Sequence, residues 1–413
     1  MRWKGVLGDN SRMMTLRRWA VVGVALAMVL AVDAYRRAQQ PRVLAAAAQV
    51  RDVTGTAQMC EWSRASRSVL PMPAGVAAAH ASSLLVLPPS HPDYARTAMM
   101  AFWFAGTRES AADVNIVASR LDRTTREWSP AFTVVDRHQA GQALGVRLRR
   151  LGNPVGWADA QGRLHLFVVG TGLGGWAASR VVHLQEDTQH AQDLWLARGI
   201  LPLTPLVPSL NTSVLVRTAP MPLEDGGALL PVYFELGMKH SAVVRLGPSG
   251  EMQPMQRITR RHDVLQPALL PLSAQHWLAF HRNQGPSNRL AVSATTDAGA
   301  HWQDMPDAAF TNSDSSVAAL RTQHGTTVLV HNPAERGRQA LWLSDTTQPQ
   351  DAAAWRTRSV VEGVAGDEYS YPSLAELPAS PQTGSTIELW MSYTHRRQAI
   401  AVERWMADCG GAR

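Results

Sequence analysis

From about Cys60 onward, the apolar positions fall into short runs with no helical period. The runs lie at 83–87, 99–104, 164–169, 228–234, 277–281, 326–330 and 387–393, separated by stretches rich in Gly, Pro, Asp and Ser. Most follow a turn-like segment such as Asp159-Ala160-Gln161-Gly162 or Glu224-Asp225-Gly226-Gly227. From 99–104 onward, successive runs are about 45 to 65 residues apart, the period of blades with about four strands each. The pattern predicts an all-β, six-bladed β-propeller; an all-β sandwich is the alternative.

A second pattern runs in step with the first. Thr295-Thr296-Asp297-Ala298-Gly299-Ala300-His301-Trp302 follows the alternating strand-like segment 289–294. Asp is suited to bond the backbone that follows it, Gly to take a positive φ, and Trp to pack the turn onto a sheet. Looser copies keep an Asp and a later Trp: Asp122 with Trp128, Asp187 with Trp195, and Asp345 with Trp355. Their recurrence at the blade period marks the fold; as turns, they carry no chemistry of their own.

Composition and charge narrow the reading. The chain has 413 residues, of which 45% are hydrophobic, enough to bury a large core. The formal charge of +7 suggests nucleic acid until its distribution is read. Arg2, Lys4, Arg12, Arg17, Arg18, Arg36, Arg37 and Arg42 face only Asp9 and Asp33 within the first 42 residues, and the rest is nearly neutral. No electrostatic footprint for DNA or RNA is left. Residues 19–32 form an apolar run bracketed by Arg17-Arg18 and Arg36-Arg37. It is short for a membrane span and suits either a cleaved signal peptide or an uncleaved N-terminal anchor. The expected organisation is therefore a leader or membrane anchor over 1–37, a linker over 38–59 and the propeller over 60–413. That organisation puts the propeller on the periplasmic side, tethered to the membrane or released. Cys60 and Cys409 stand near the two ends of the folded part. They read either as a disulfide tying those ends in an oxidising compartment or as two separate buried thiols.

The ordered motifs resemble a family. Phe102-Trp103-Phe104-Ala105-Gly106-Thr107-Arg108-Glu109 is similar to a signature near the start of the BNR/Asp-box sialidase-like propellers, and 295–302 is similar to their Asp-box. Gly152-Asn153-Pro154, Leu230 to Glu235, Gln266-Pro267, His281-Arg282, His331-Asn332-Pro333, Tyr369-Ser370-Tyr371-Pro372 and Tyr393 to Ile400 follow in matching order. The resemblance covers about 80–405. It implies an exo-α-sialidase-type glycoside hydrolase acting on an acidic glycan from the channel side of the propeller, opposite the Asp-box. Guanidinium forks match a sugar carboxylate bidentately, and sialidases use a tyrosine nucleophile with a Glu base and an acid/base carboxyl.

Carried over by position, Arg108 and Arg282 would clamp the carboxylate, with Arg396 or Arg397 as the third arginine. Tyr371 would be the nucleophile, Glu235 its base partner with Glu368 close by, and Glu109 or Asp113 the acid/base. Asn332 is a candidate for sugar hydroxyls, as is Asn312, unless both only shape turns. His240, His281 and His331 read as structural groups. No metal-ligand set, phosphate loop or dinucleotide fingerprint is present, so no cofactor is expected. The arginine motif usual in sialidases is absent in its ordinary form, and the looser Asp-box copies lack the Gly. A non-catalytic carbohydrate-binding or envelope-assembly propeller is the alternative function.

Overall fold

The computed structural model describes residues 17–28, 30–32, 59–188, 194–201, 203, 213–248, 252–378 and 386–409. Among them, six antiparallel sheets follow one another along the chain, as a six-bladed propeller requires. Five sheets run in chain order, beginning at Ala78, Arg150, Val214, Val264 and Ala318. The sixth closes the ring. Its strands Tyr369–Leu377, Thr386–His395 and Ala399–Asp408 take Glu61–Val69, from the start of the folded part, as their fourth member. A disulfide joins Cys60 to Cys409 at the end of that seam. Where the strands lie side by side, Glu403 is buried, bonded to Tyr393 Oη at 2.9 Å and Trp405 Nε1 at 3.0 Å, and faced by Arg64 and Arg67 of the added strand.

The apolar runs read from the sequence fall mainly on the second strand of each blade: Thr97–Gly106, Leu164–Thr171, Ala228–Phe234, Trp277–Asn283, Thr327–His331 and Thr386–His395. These strands are sandwiched inside their sheets, so most of their residues are buried on both faces and the sequence reads as a continuous apolar run. The remaining run, 83–87, belongs to a first strand, Ala78–Val86.

The marker tryptophans hold neighbouring blades together. Trp128 of the first blade lies edge-on to Trp390 of the sixth, Trp195 of the second to Phe102 of the first, and Trp355 of the fifth to Phe280 of the fourth. Trp302 of the fourth packs against Trp277 and the apolar cluster of the third blade. Each therefore wedges against the blade before its own. In the turn at 295–302, the hydroxyl of Thr295 donates to Asp297 Oδ1 at 2.8 Å, and the same oxygen accepts from His301 N at 2.9 Å. Gly299 takes φ +83°, and a Cβ there would lie 2.7 Å from the Trp277 ring. The His301 backbone bond leads the contacts that hold Asp297 down to about pKa 2.

Residues 17–28 and 30–32 are helical. No helix among the described residues is long and apolar enough to cross a membrane. Most of the linker expected over 38–59 lies outside the described residues.

Candidate functional site

The Asp-box sits where a third strand passes to a fourth. At the opposite end of the same sheets, second strands pass to third strands and first strands begin. On that face the first strands of blades one, two, four and six carry a bulge, at His80/Ser83, Gly152/Val155, Leu265/Ala268 and Ser370/Ser373. Each bulge contains a residue at positive φ: Ala81, Asn153, Gln266 and Tyr371. A bulge frees one residue from the ladder and re-aims its side chain. Its recurrence is a feature of the fold, while the different residues placed on it supply different chemistry. Three precede proline, at Pro154, Pro267 and Pro372.

Tyr371 is the hub of the channel-side cluster. Its hydroxyl lies 3.5 Å from Arg282 Nη1. The Arg217 and Arg338 guanidiniums stand 5.1 and 5.5 Å from its ring centroid, and His80 meets it edge-on at 4.5 Å. Arg217 is buried from the third blade and holds three carbonyls across the channel, those of Ser82, Tyr371 and Pro372. Burial pulls its pKa down to about 10 and that of His80 to about 3, so at neutral pH the arginine is charged and the histidine neutral.

Carboxylates from neighbouring blades thread between these cations. Asp314 bonds Arg282 Nε, and Arg338 bonds both the Asp314 carbonyl and Glu368 Oε1, at 2.8 and 3.1 Å. Glu368 also accepts from Ser370 Oγ at 2.6 Å and pairs with Arg397, which reaches Glu109 Oε2 at 2.8 Å. Burial pushes the Glu368 carboxyl up. The Ser370 hydroxyl and the nearby arginines outweigh it and hold Glu368 down at about 2. Beside this network, the Tyr233 hydroxyl is bonded by Gln266 Nε2 at 3.2 Å and Asn153 Nδ2 at 3.4 Å. Burial, then the charge of Glu235, pushes the Tyr233 phenol up.

The family described as BNR repeat-like domain matches residues 97–381, from the second strand of the first blade into the sixth. The chain belongs to this family. Solved structures show the same fold at low identity. The chain is similar to a protein of unknown function from Dyadobacter fermentans, with TM-score 0.62, 11% identity, and coverage of 83% of this chain and 98% of that one. It is similar to a Hadza microbial sialidase, with TM-score 0.61, 12% identity and coverage of 81% and 66%. It is also similar to a Penicillium chrysogenum α-L-arabinanase complexed with arabinobiose, with TM-score 0.56, 13% identity and coverage of 83% and 98%. No curated protein sequence matches the chain.

Within this BNR fold, the residues singled out from the sequence separate. Tyr371, Arg282, Arg397 and Glu109 join one network. Glu235 stands half-buried two residues beyond Tyr233, its carboxylate without a hydrogen bond among the described residues. Arg396 turns outward to Asp367 and the Tyr369 hydroxyl, at 3.1 and 3.2 Å, which distinguishes it from Arg397. Arg108 is exposed and forms no ion pair among the described residues; it lines a separate cavity. Both Asp113 oxygens accept from Thr107, so this carboxylate caps its own loop. Asn332 is wholly buried, donates to the Ala340 and Tyr369 carbonyls and accepts from Ser315. Its amide has nothing left for a sugar, and Asn312, which receives Asn332 N, belongs to the same turn scaffold. His281 is buried between the hydroxyls of Ser241 and Ser293, and His331 between the Thr311 carbonyl and Ser344, both as structural groups.

The sequence reading did not single out Arg217, Asp314, Arg338, His80 or Tyr233 as site residues. Asp314 precedes the first strand of the fifth blade as Glu368 precedes that of the sixth, and that positional equivalence was the available signal; Arg338 lies in the turn before the third strand of the fifth blade. Arg217 follows a three-residue strand whose run was too short to stand out.

Proposed function

We propose that this protein is a sialidase-type glycoside hydrolase that takes an acidic sugar into the channel face. The observation that carries the reading is Tyr371. It is held at positive φ on the first strand of the sixth blade, with its hydroxyl toward Arg282 and its ring between Arg217 and Arg338. A non-glycine residue in the left-handed region costs on the order of 1 kcal/mol or more and aims a side chain that a regular strand would not. Arg282, Arg338 and Arg397 offer guanidinium groups to a sugar carboxylate, which would exchange with Asp314 and Glu368 for those partners. In the chemical step, Tyr371 Oη would bond to the anomeric carbon while the glycosidic carbon–oxygen bond breaks. The phenolic proton would pass to Glu235, and Glu109 would protonate the departing oxygen. Water would then release the sugar. The sialidase among the structural neighbours supports the reaction class, and the arabinanase supports a glycan as the broader ligand class. The Cys60–Cys409 disulfide supports an oxidising compartment outside the cytoplasm, reached through an export leader in residues 1–37.

One observation favours a non-catalytic glycan binder. Among the described residues, no carboxylate hydrogen-bonds the Tyr371 hydroxyl; its partner is Arg282. A hydrolysis assay on a panel of sialosides, uronides and arabinosides decides between the two readings. Under the hydrolase reading, the wild type releases sugar from an acidic glycoside, Tyr371→Phe abolishes release, and Arg282→Ala raises KM. Binding of acidic glycans with no turnover of any of them selects the binder.

A further inference from the structure

A cavity of about 1130 Å³ opens on the channel face between the first and second blades. Three segments form its wall: the loop after Thr97–Gly106, the short helix Arg137–Ala143 with the loop that follows it, and the start of the strand Arg150–Ala158. They bring together Arg108, Arg137, Arg147, Arg149 and Arg150. Asp113 is the one carboxylate in the lining, and its oxygens are committed to Thr107. Among the described residues none of the five arginines forms an ion pair. Arg137 is fixed by the Ala112 and Leu148 carbonyls, which braces the two loops against each other.

This differs from the Tyr371 cluster, where each of Arg282, Arg338 and Arg397 has a carboxylate partner within the fold. Five arginines around one concavity repel one another unless an anion enters, and their planar forks suit sulfate, phosphate or carboxylate oxygens. One loop links the cavity wall to the channel site. Glu109 lies in the same 107–113 loop that walls the cavity, and it is bonded to Arg397 of the Tyr371 network.

We propose that this cavity is a second anionic subsite, which receives a sulfate- or carboxylate-bearing sugar of an oligosaccharide whose neighbouring residue occupies the channel. The anion binding stands on the arginines alone, whereas the identity of the ligand as a glycan rests on the function proposed above. The occupant would join its neighbour across the 107–113 loop, so the preferred ligand is an oligosaccharide with at least two acidic groups.

Calorimetric titration of the full chain tests this with a heparin-derived sulfated disaccharide, inorganic sulfate and a neutral disaccharide. The disaccharide is expected to bind more tightly than sulfate, and the neutral sugar not to bind at this site. Arg149→Ser should weaken disaccharide binding about tenfold, a loss of about 1.4 kcal/mol. Arg147 and Arg149 are both exposed, so the double variant Arg147→Ser/Arg149→Ser should stay folded and weaken binding further. Arg96→Ser, exposed on the opposite face, should leave binding unchanged. The proposal is overturned by any of four results: no binding, equal affinity for sulfate and disaccharide, equal weakening by Arg96→Ser, or loss in Tyr371→Phe with none in Arg149→Ser. Failure of the hydrolysis assay with these binding results intact would remove the proposed reaction and leave the subsite.

Discussion

The two ends of the fourth blade satisfy their polar groups in different ways. At the Asp-box end, Asp297, Thr295, Gly299 and His301 bond one another within a single turn, and Trp302 seals that turn against the third blade. At the channel end, Arg282 donates to Gln266 of its own blade but finds its ionic and phenolic partners on other blades. Asp314 comes from the fifth and Tyr371 from the sixth, and the network runs on through Arg338, Glu368 and Arg397 to Glu109 of the first. A local turn needs only that its own few residues be right. The ionic network exists only when several blades are assembled. The Asp-box end is therefore held locally, while the channel end is held by charged groups shared among blades.

Acid should separate the two ends most strongly. His80, His281 and His331 are buried, and burial lowers their pKa to about 3, 3 and 4. Between about pH 6.5 and 4 the unfolded chain binds protons at these positions that the native chain refuses. Stability therefore falls as pH falls, by about 1.4 kcal/mol per pH unit for each group. Asp297 works in a lower window. Its native pKa of about 2 lies below the unfolded value of 3.8, so its contribution is lost only as pH falls through that interval. Urea midpoints measured from pH 7 to 4 should drop steeply, and His281→Gln should flatten the slope by one proton's worth. A flat profile over that range would contradict the burial of these rings.

Arg217→Ala should cost about 3–5 kcal/mol, because it strands the carbonyls of Ser82, Tyr371 and Pro372 and leaves a void in the channel. Cys60→Ser with Cys409→Ser should cost about 2–4 kcal/mol by freeing a loop that spans a sequence separation of 349. Chemical denaturation resolves both. The disulfide seals the sixth blade away from the channel, so the double serine variant should keep glycan affinity at temperatures where it is folded. Arg217→Ala should lose that affinity because Tyr371 is released.

Gly299→Ala should cost about 1–2 kcal/mol through its left-handed backbone and the Trp277 ring, with glycan binding unchanged. A binding loss in this variant would show that the two faces are coupled, against the division drawn above.

What the sequence disclosed follows the same division. The Asp-box and the marker tryptophans could be read because each is built from a short stretch with its own turn chemistry. The second strands could be read because burial on both faces leaves a continuous apolar run. The wedge of Trp195 against Phe102 was invisible, since nothing local says which blade a tryptophan will face. The closing strand was equally hidden: Glu61–Val69 looks like exposed sequence, and it becomes a fourth strand only beside Ala399–Asp408. Tyr371, Arg282, Arg397 and Glu109 were singled out through resemblance, but Asp314 and Arg338 were not, because their place beside those residues is set by blade assembly. Asn332 shows the reverse error. An asparagine in an His-Asn-Pro turn suits a sugar hydroxyl as well as a backbone carbonyl, and only the packing of Ala340 and Tyr369 around it decides.

The smallest effect gives the sharpest contrast, because it concerns two adjacent residues on one hairpin. Arg396 and Arg397 both take positive φ, at 53° and 57°, and both are about half exposed. Arg396 meets Asp367 and Tyr369 on the outer side, whereas Arg397 spans Glu368 and Glu109. Exposed ion pairs contribute little, so neither alanine variant should change stability appreciably. Their binding should differ more. Arg397→Ala leaves Glu109 without its ion-pair partner, takes one of several partners from Glu368 and removes a cation, so an acidic glycan should bind at least about tenfold more weakly, a loss of about 1.4 kcal/mol. Arg396→Ala should leave affinity within experimental error. Raising the salt concentration should narrow the gap, because the Arg397 contribution is electrostatic and partly exposed. Equal affinities for the two variants would remove Arg397 from the site.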